Sequence, residues 1–189
     1  MKTHRRQPSS PRFSAAVLTR AKKIKLIAMD IDGVLNTGDI LVRESGEEVK
    51  SWNVRDRIAF YFAGRSSVRL RFAWITGRGS RQVQQRAAEI PVDALYEHCM
   101  DKKSALLDIM KKFSLSEQEI AYIGDDLIDL PVLKRVGLSV CPRDAANELK
   151  PHVDFISTVP GGKGVLREVV ELVLTAYGEW DAIIRHYLN

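Results

Sequence analysis

Two acids close a short apolar run near the start of the chain. Ile24, Leu26, Ile27, Ala28 and Met29 lead into Asp30, Ile31, Asp32 and Gly33. A run of this length and type suits a strand buried on both faces. Acids at the carboxyl end of such a strand sit where open α/β sheets bind their ligands. Gly33 lets the chain bend, so that both carboxylates can look into one crevice. Crowded carboxylates repel, and an oxygen-preferring divalent cation is the natural third member. The plain alternative is a pair of ordinary turn acids. A calcium loop also opens D-x-D-G, but it needs further oxygen ligands and a closing Glu. Here Val34, Leu35 and Thr37 follow instead.

The choice rests on partners elsewhere in the chain. Phe72, Ala73, Trp74 and Ile75 form a second buried-strand run that ends in Thr76, Gly77 and Arg78. Ile120, Ala121, Tyr122 and Ile123 form another, ending in Gly124, Asp125, Asp126 and, three residues on, Asp129. A parallel sheet gathers these ends on one edge. Core strands have no packing reason to finish in polar residues, so the coincidence over three strands weakens the turn-acid reading. Lys102 opens a helix that should also begin on this side. A cation, a spare carboxylate, a hydroxyl and an ammonium are the parts of a phosphoryl-transfer site. The cations offset charge on the phosphoryl oxygens, and a carboxylate can act as nucleophile.

The elements that must position these groups follow from periodicity. Residues 39–52 hold two short runs around Ser45-Gly46 and read as a β-hairpin projecting over the functional edge. Asn53, Val54, Arg55 and Asp56 lead into a helix reaching Phe62, and 80–90 have helical spacing. Ala105, Leu106, Ile109, Met110 and Phe113 give 102–113 one apolar face. Ser116 with Glu119 reads as a capping box before at most a short helix. Short strands are expected over 94–96, 138–140 and 153–156. Short helices are expected over 131–136 and 144–149, with a long one over 165–177 and a last helical piece after Gly178. Strands alternating with helices mean right-handed βαβ units and a mostly parallel sheet. The fold class expected is α/β, a Rossmann-like three-layer sandwich with a β-hairpin after the first strand.

The chain has 189 residues, 45% of them apolar and 28% charged, as in a soluble globular protein. One domain over 23–189 is expected, preceded by a basic, flexible arm over 1–22. The arm holds Lys2, Arg5, Arg6, Arg12, Arg20 and Lys22 and contributes much of the net charge of +5. Without aromatic interleaving it reads as a solvated tail, and nucleic acid is not the expected partner. No apolar run approaches the ~20 residues that cross a membrane. Cys99 and Cys141 lack zinc spacing and suit a reducing cytoplasm.

DIDGVLN at 30–36, ITGR at 75–78, Lys102 and GDDLIDLP at 124–131 resemble, in order, the motifs of the haloacid dehalogenase superfamily of phosphatases. The resemblance is closer to a branch without a cap domain, the 3-deoxy-D-manno-octulosonate 8-phosphate (KDO 8-phosphate) phosphatases and relatives acting on nine-carbon sugar-acid phosphates. The hairpin, Asn53-Val54-Arg55-Asp56, and GGKG at 161–164 with Arg167-Glu168-Val169 support that branch. The resemblance implies that Asp30 is the nucleophile and that Asp32 is the general acid and then the base. It implies that Mg²⁺ is held by Asp30, the Asp32 carbonyl and Asp125, and that Thr76 and Lys102 bind the phosphoryl oxygens. Asp126 and Asp129 would orient metal waters or Lys102, with a capping or salt-bridge role for Asp129 as the alternative. Asn53, Val54, Arg55, Asp56, Arg78 and Arg86 would hold the sugar acid, whose carboxylate calls for bidentate cations. A homotetramer is implied, with packed hairpins and a neighbour's C-terminal segment over each site. The alternative is a monomer that keeps Trp180, Ile183, Ile184 and Leu188 on its own core.

The chain departs from that branch in three places. Arg57 stands where the relatives have Gly, Phe60-Tyr61-Phe62 where an arginine is expected, and 63–71 is longer and more basic. These departures leave open another sugar-acid phosphate or a broad sugar-phosphate specificity. A binding or regulatory protein that keeps the fold without turnover is the remaining alternative.

Overall fold

The computed structural model describes residues 12–188. Six strands form one sheet in the order β5-β4-β1-β6-β7-β8, every neighbouring pair parallel. They are β1 (Leu26–Met29), β4 (Arg71–Ile75), β5 (Ala94–Tyr96), β6 (Ile120–Ile123), β7 (Leu138–Cys141) and β8 (Phe155–Ile156). Between β1 and β4, β2 (Leu41–Val42) and β3 (Glu48–Val49) pair antiparallel as the expected hairpin. The helices are α1 (Ala15–Ala21), α2 (Val54–Arg65), α3 (Arg81–Glu89), α4 (Lys102–Phe113), α5 (Leu130–Leu133), α6 (Val165–Ala176) and α7 (Trp180–Leu188).

The two-residue period of the strands sorts the core into two layers. Ile27, Met29, Phe72, Trp74, Ala121, Ile123, Leu138 and Val140 face one layer with α1, α2, α6 and α7. Leu26, Ala28, Ala73, Ile75, Ile120 and Tyr122 face the other with α4 and α5. All four residues of β1 and of β6 are buried, which is why both runs are apolar without alternation. The chain runs β1 to β4 to β5 outward on one side and returns to β6 on the other side of β1. The carboxyl ends of β1 and β6 therefore flank the point where strand order reverses, where open α/β sheets bind ligands.

Two expectations need correction. The second half of the arm over 1–22 is a helix docked on the core. Ser14 caps α1 through Val17 N–H, and Phe13, Val17 and Ala21 are buried at a four-residue spacing. Residues 1–11 lie outside the described residues. The helix expected over 144–149 is absent, and only a 3₁₀ turn follows at Lys150–His152. Its polar groups are taken by neighbouring loops. Ala146 N–H donates to the Asp125 carbonyl (2.9 Å), and the Asp144 carboxylate accepts from Gly161 N–H (2.8 Å).

Of the groups offered for a monomer's core, Trp180 packs edge-on against Phe62, and Ile183 is buried. Ile184 and Leu188 stay exposed. No helix among the described residues is long and apolar enough to cross a membrane.

Candidate active site

β1 delivers Asp30 to the edge of the sheet, and the chain turns at once. Gly33 holds φ +85°, and a Cβ there would lie 2.0 Å from an Asp125 carboxylate oxygen. Glycine is required both by the left-handed backbone and by the close approach. Asn36 closes the turn: its Oδ1 accepts from Gly33 N–H (3.3 Å) and Gly38 N–H (2.8 Å). Its Nδ2 donates to Asp32 Oδ1 (2.7 Å). Gly161 packs against the same turn so closely that a Cβ would overlap the Gly33 carbonyl.

Asp30 is buried, with Oδ1 accepting from Ile31 N–H (2.6 Å) and Oδ2 from Lys102 Nζ (2.5 Å). Lys102 opens α4, is fully buried, and also donates to Asp129 Oδ1 (2.6 Å). Burial alone would lower the Lys102 pKa; Asp129 and Asp30 outweigh it and raise it, so the ammonium is charged. Burial pushes Asp30 up to about 6, against the pull of Lys102 and with help from Asp129. Burial pushes Asp125 up to about 7, with the Asp30 charge as the next cause.

Asp129 and Asp125 lie four residues apart and differ completely in their surroundings. Asp129 Oδ1 accepts from Lys102 and Tyr122 (2.6 Å), and Oδ2 accepts from the Asp125 (2.9 Å) and Asp126 (3.3 Å) N–H groups. No hydrogen bond from the described residues reaches the Asp125 carboxylate, whose pKa the Lys102 charge pulls the other way, downward. Carboxylate oxygens of Asp30, Asp125 and Asp129 lie within 4.8 Å of one another. Asp129 is saturated by donors, so it fixes Lys102 and the β6 loop. Asp30 and Asp125 remain available as cation ligands. An all-oxygen donor set around desolvated, mutually repelling carboxylates fits a small hard dication such as Mg²⁺.

Thr76 directly follows β4 and is buried, its hydroxyl donating to the Arg78 carbonyl (3.0 Å) and accepting from Arg78 N–H (3.1 Å). Asp126 is exposed and caps the turn after β6 through Leu127 N–H (2.7 Å). Asp32 is partly exposed, and its Oδ1 also takes an ion pair from Lys50, at the end of the hairpin. Sequence reasoning missed Lys50 and Asn36. Asn36 stands inside a motif it had read, whereas nothing local marks Lys50.

The residues expected to hold the sugar acid are spread over the start of α2, the loop after β4 and α3. Asn53 caps α2 through Arg55 N–H (2.9 Å) and donates to the Gly162 carbonyl (2.9 Å). Val54 and Arg55 are exposed and line a separate groove with Ile58, Phe62, Lys163 and Arg167. Asp56 is buried beneath α2, where Oδ1 accepts from Arg167 N–H (3.1 Å) at the start of α6 and Oδ2 has no partner. Arg78 is ion-paired to Glu48 of β3. Arg86 pairs with Glu89 (2.8 Å) and lies over Trp52, 5.9 Å from the ring centre.

Arg57 is accommodated inside the regular helix α2, without positive φ, so this chain does not need glycine there. Phe60 belongs to the core, 4.6 Å from Phe72 between ring centres.

A parallel α/β sheet with a cluster of carboxylates at its switch point, backed by a buried lysine, suits a phosphate-transferring hydrolase. The model of the haloacid dehalogenase-like hydrolases matches residues 73–169, and the chain belongs to that family. It is 40% identical over 168 residues to the 3-deoxy-D-manno-octulosonate 8-phosphate phosphatase of Escherichia coli (strain K12), covering 89% of this chain and 88% of that protein. A crystal structure of the Yersinia pestis enzyme of that name matches with TM-score 0.85 and 36% identity, over 88% of this chain and 89% of that one. The Moraxella catarrhalis phosphatase of that name, solved with magnesium, phosphate and KDO, matches with TM-score 0.87 and 35% identity, over 90% and 97%.

Proposed function

We propose that this chain is a Mg²⁺-dependent phosphomonoesterase that hydrolyses KDO 8-phosphate to KDO and phosphate through an aspartyl-phosphate. The observation that carries the reading is the buried Asp30–Lys102–Asp129 cluster beside the donor-free Asp125. The substrate is taken from the similarity to the KDO 8-phosphate phosphatases over most of both chains.

Asp30 and Asp125, with the Asp32 carbonyl, would hold the Mg²⁺. When bound, the ion supplies charge neutralisation at the phosphoryl oxygens and at the crowded carboxylates. Asp30 attacks phosphorus; an O–P bond forms on its carboxylate as the P–O bond to the sugar breaks. Asp32 delivers a proton to the departing sugar oxygen. Water then attacks the phosphoryl group, Asp32 takes the water proton, and the Asp30 O–P bond breaks. Lys102 keeps its positive charge beside Asp30 throughout. Thr76 turns its hydroxyl from the Arg78 carbonyl to the phosphoryl oxygens, where Asp126 completes the rim.

Arg78, released from Glu48, and Arg86 supply cations for the sugar carboxylate. Asn53 caps α2 and holds the Gly162 carbonyl, and Val54 and Arg55 line the groove with Lys163 and Arg167, which suits a role at a neighbouring copy's site. A homotetramer through the hairpins is the assembly we propose. Leu41 and Val42 stand 63% exposed there, one on each face of the strand, apolar surface in need of cover. The expected location is the cytoplasm.

The test is phosphate release from KDO 8-phosphate, nine-carbon sugar-acid phosphates, hexose phosphates and nucleotides, with Mg²⁺ and with EDTA. A strong preference for KDO 8-phosphate that EDTA abolishes is the expected result. A flat profile keeps the phosphatase and removes the named substrate. Sedimentation of the wild type against Leu41→Asp tests the tetramer.

A further inference from the structure

Lys50 is an ammonium buried at the foot of the hairpin with no solvent exposure of its side chain. Burying an unpaired charge is costly, so its single ion partner among the described residues defines its task. That partner is Asp32, at Oδ1, the oxygen that also accepts from Asn36 Nδ2 (2.7 Å). Oδ1 thus has two donors, one from within the turn and one from the hairpin, while no donor from the described residues reaches Oδ2. The carboxylate is fixed with one oxygen occupied and the other free.

The hairpin that carries Lys50 is itself tied to the site edge. Glu48 is ion-paired with Arg78, and Gln82 Nε2 of α3 donates to the Glu48 carbonyl (2.7 Å). Lys50 therefore reaches Asp32 from a hairpin anchored to the loop after β4 and to α3.

We infer that Lys50 is a positioning residue for Asp32, which turns the free Oδ2 towards the leaving oxygen for proton delivery. The inference rests on the reading of Asp32 as the acid. In the first half-reaction the proton passes from Asp32 Oδ2 to the sugar oxygen as the P–O bond breaks, and Lys50 neither gains nor loses a proton. Its contribution must then scale with the need for a proton. A sugar phosphate releases a basic alkoxide and needs one; p-nitrophenyl phosphate releases a stable phenolate and needs none.

The experiment compares kcat/KM for KDO 8-phosphate and for p-nitrophenyl phosphate in Lys50→Met, Lys50→Arg, Asp32→Asn and the double variant Lys50→Met/Asp32→Asn. Because kcat/KM stops at alcohol release, the later hydrolytic step does not enter. Lys50→Met is expected to lose on the order of 30-fold on the sugar phosphate and less than about fivefold on the aryl phosphate, within the range of general acid catalysis. Lys50→Arg should recover part of the split. In the Asp32→Asn background, Lys50→Met should not change the ratio further. Equal losses on both substrates for Lys50→Met, with Asp32→Asn still showing the split, would overturn the inference and leave the acid in place. Equal losses for Asp32→Asn would instead overturn the acid reading itself. If Lys50→Met does not fold by circular dichroism, Lys50→Arg and Lys50→Gln decide: an unchanged substrate ratio in both overturns the inference.

Discussion

The reacting edge and the recognition side of this molecule are built on opposite plans. At the ends of β1 and β6, Asp30, Lys102, Asp129 and Tyr122 form one buried network in which each group's partner lies in the same chain. Among the groups expected to hold the sugar, Arg78 and Arg86 are paired with acids of β3 and α3, and Asp56 is turned into the core. The proposed chemistry is preorganised by burial, and the proposed recognition falls to groups that must change partners when a ligand arrives. Catalysis depends on charges aimed in advance, whereas selectivity can be assembled on binding.

The largest test of this contrast is Asp30→Asn. Loss of the nucleophile is expected to lower kcat by more than about 10³-fold on every substrate, sugar or aryl. Single-turnover phosphate release measures it, and retention of rate on any substrate would break the contrast at its first term.

Asp56 sharpens the second term, since the family motif assigns it to the sugar and the structure seats it under α2. Burial pushes its carboxyl up to about 7, from an ordinary 3.8, against the pull of the backbone N–H groups at the start of α6. A carboxyl raised on folding holds its proton in the native state after the unfolded chain has lost it. Its effect on stability is therefore absent below about pH 4, grows unfavourably to about pH 7, and is constant above. Asp56→Asn should gain stability over the wild type across that window, up to about 4 kcal/mol at pH 8. Urea unfolding at pH 5, 6 and 8 reads this, and KM should not move. A raised KM with unchanged stability would return Asp56 to the substrate.

The reacting edge was legible because its logic is local. An apolar run that stops in a polar residue marks a strand end, and a parallel sheet brings such ends together; Asp30, Asp32, Thr76 and Asp125 needed nothing more. Lys50 could not be found this way, because its burial depends on the hairpin folding back over the Asp30–Asn36 turn, a tertiary event with no local period. Asp56 was placed by its motif, while the direction of its side chain from the first turn of α2 depends on where α6 lies. The start of α1 carried a readable signal in the four-residue spacing of Phe13, Val17 and Ala21, masked by the basic composition around it. The 144–149 stretch has helical residues, yet Asp125 and Gly161 claim its Ala146 and Asp144 groups.

The cation site gives a smaller effect, set by pH. With Asp125 at about 7 and Asp30 at about 6, both must lose protons to serve as ligands. Mg²⁺ affinity should be flat above pH 7, fall about tenfold per pH unit just below it, and fall more steeply below pH 6. Calorimetric titration without substrate, at pH 5.5, 6.5 and 8, measures the slope. A flat profile would mean that one or both carboxylates are not ligands.

Arg86 carries the smallest expected effect and the most direct comparison with Asp30. Its guanidinium lies over Trp52, whose ring is stacked on Trp74 with centres 5.7 Å apart and planes 9° apart. The base of the side chain is therefore held, while the pairing with Glu89 lies within one turn of exposed helix. A pair of that kind is worth less than about 1 kcal/mol, so an incoming carboxylate can displace it at little cost. Arg86→Ala should raise KM for KDO 8-phosphate about tenfold, leave kcat within about threefold, and leave p-nitrophenyl phosphate unaffected, since that ester has no carboxylate to hold. Equal losses on both substrates would place Arg86 with the reacting edge, and the division between the two regions would then run elsewhere.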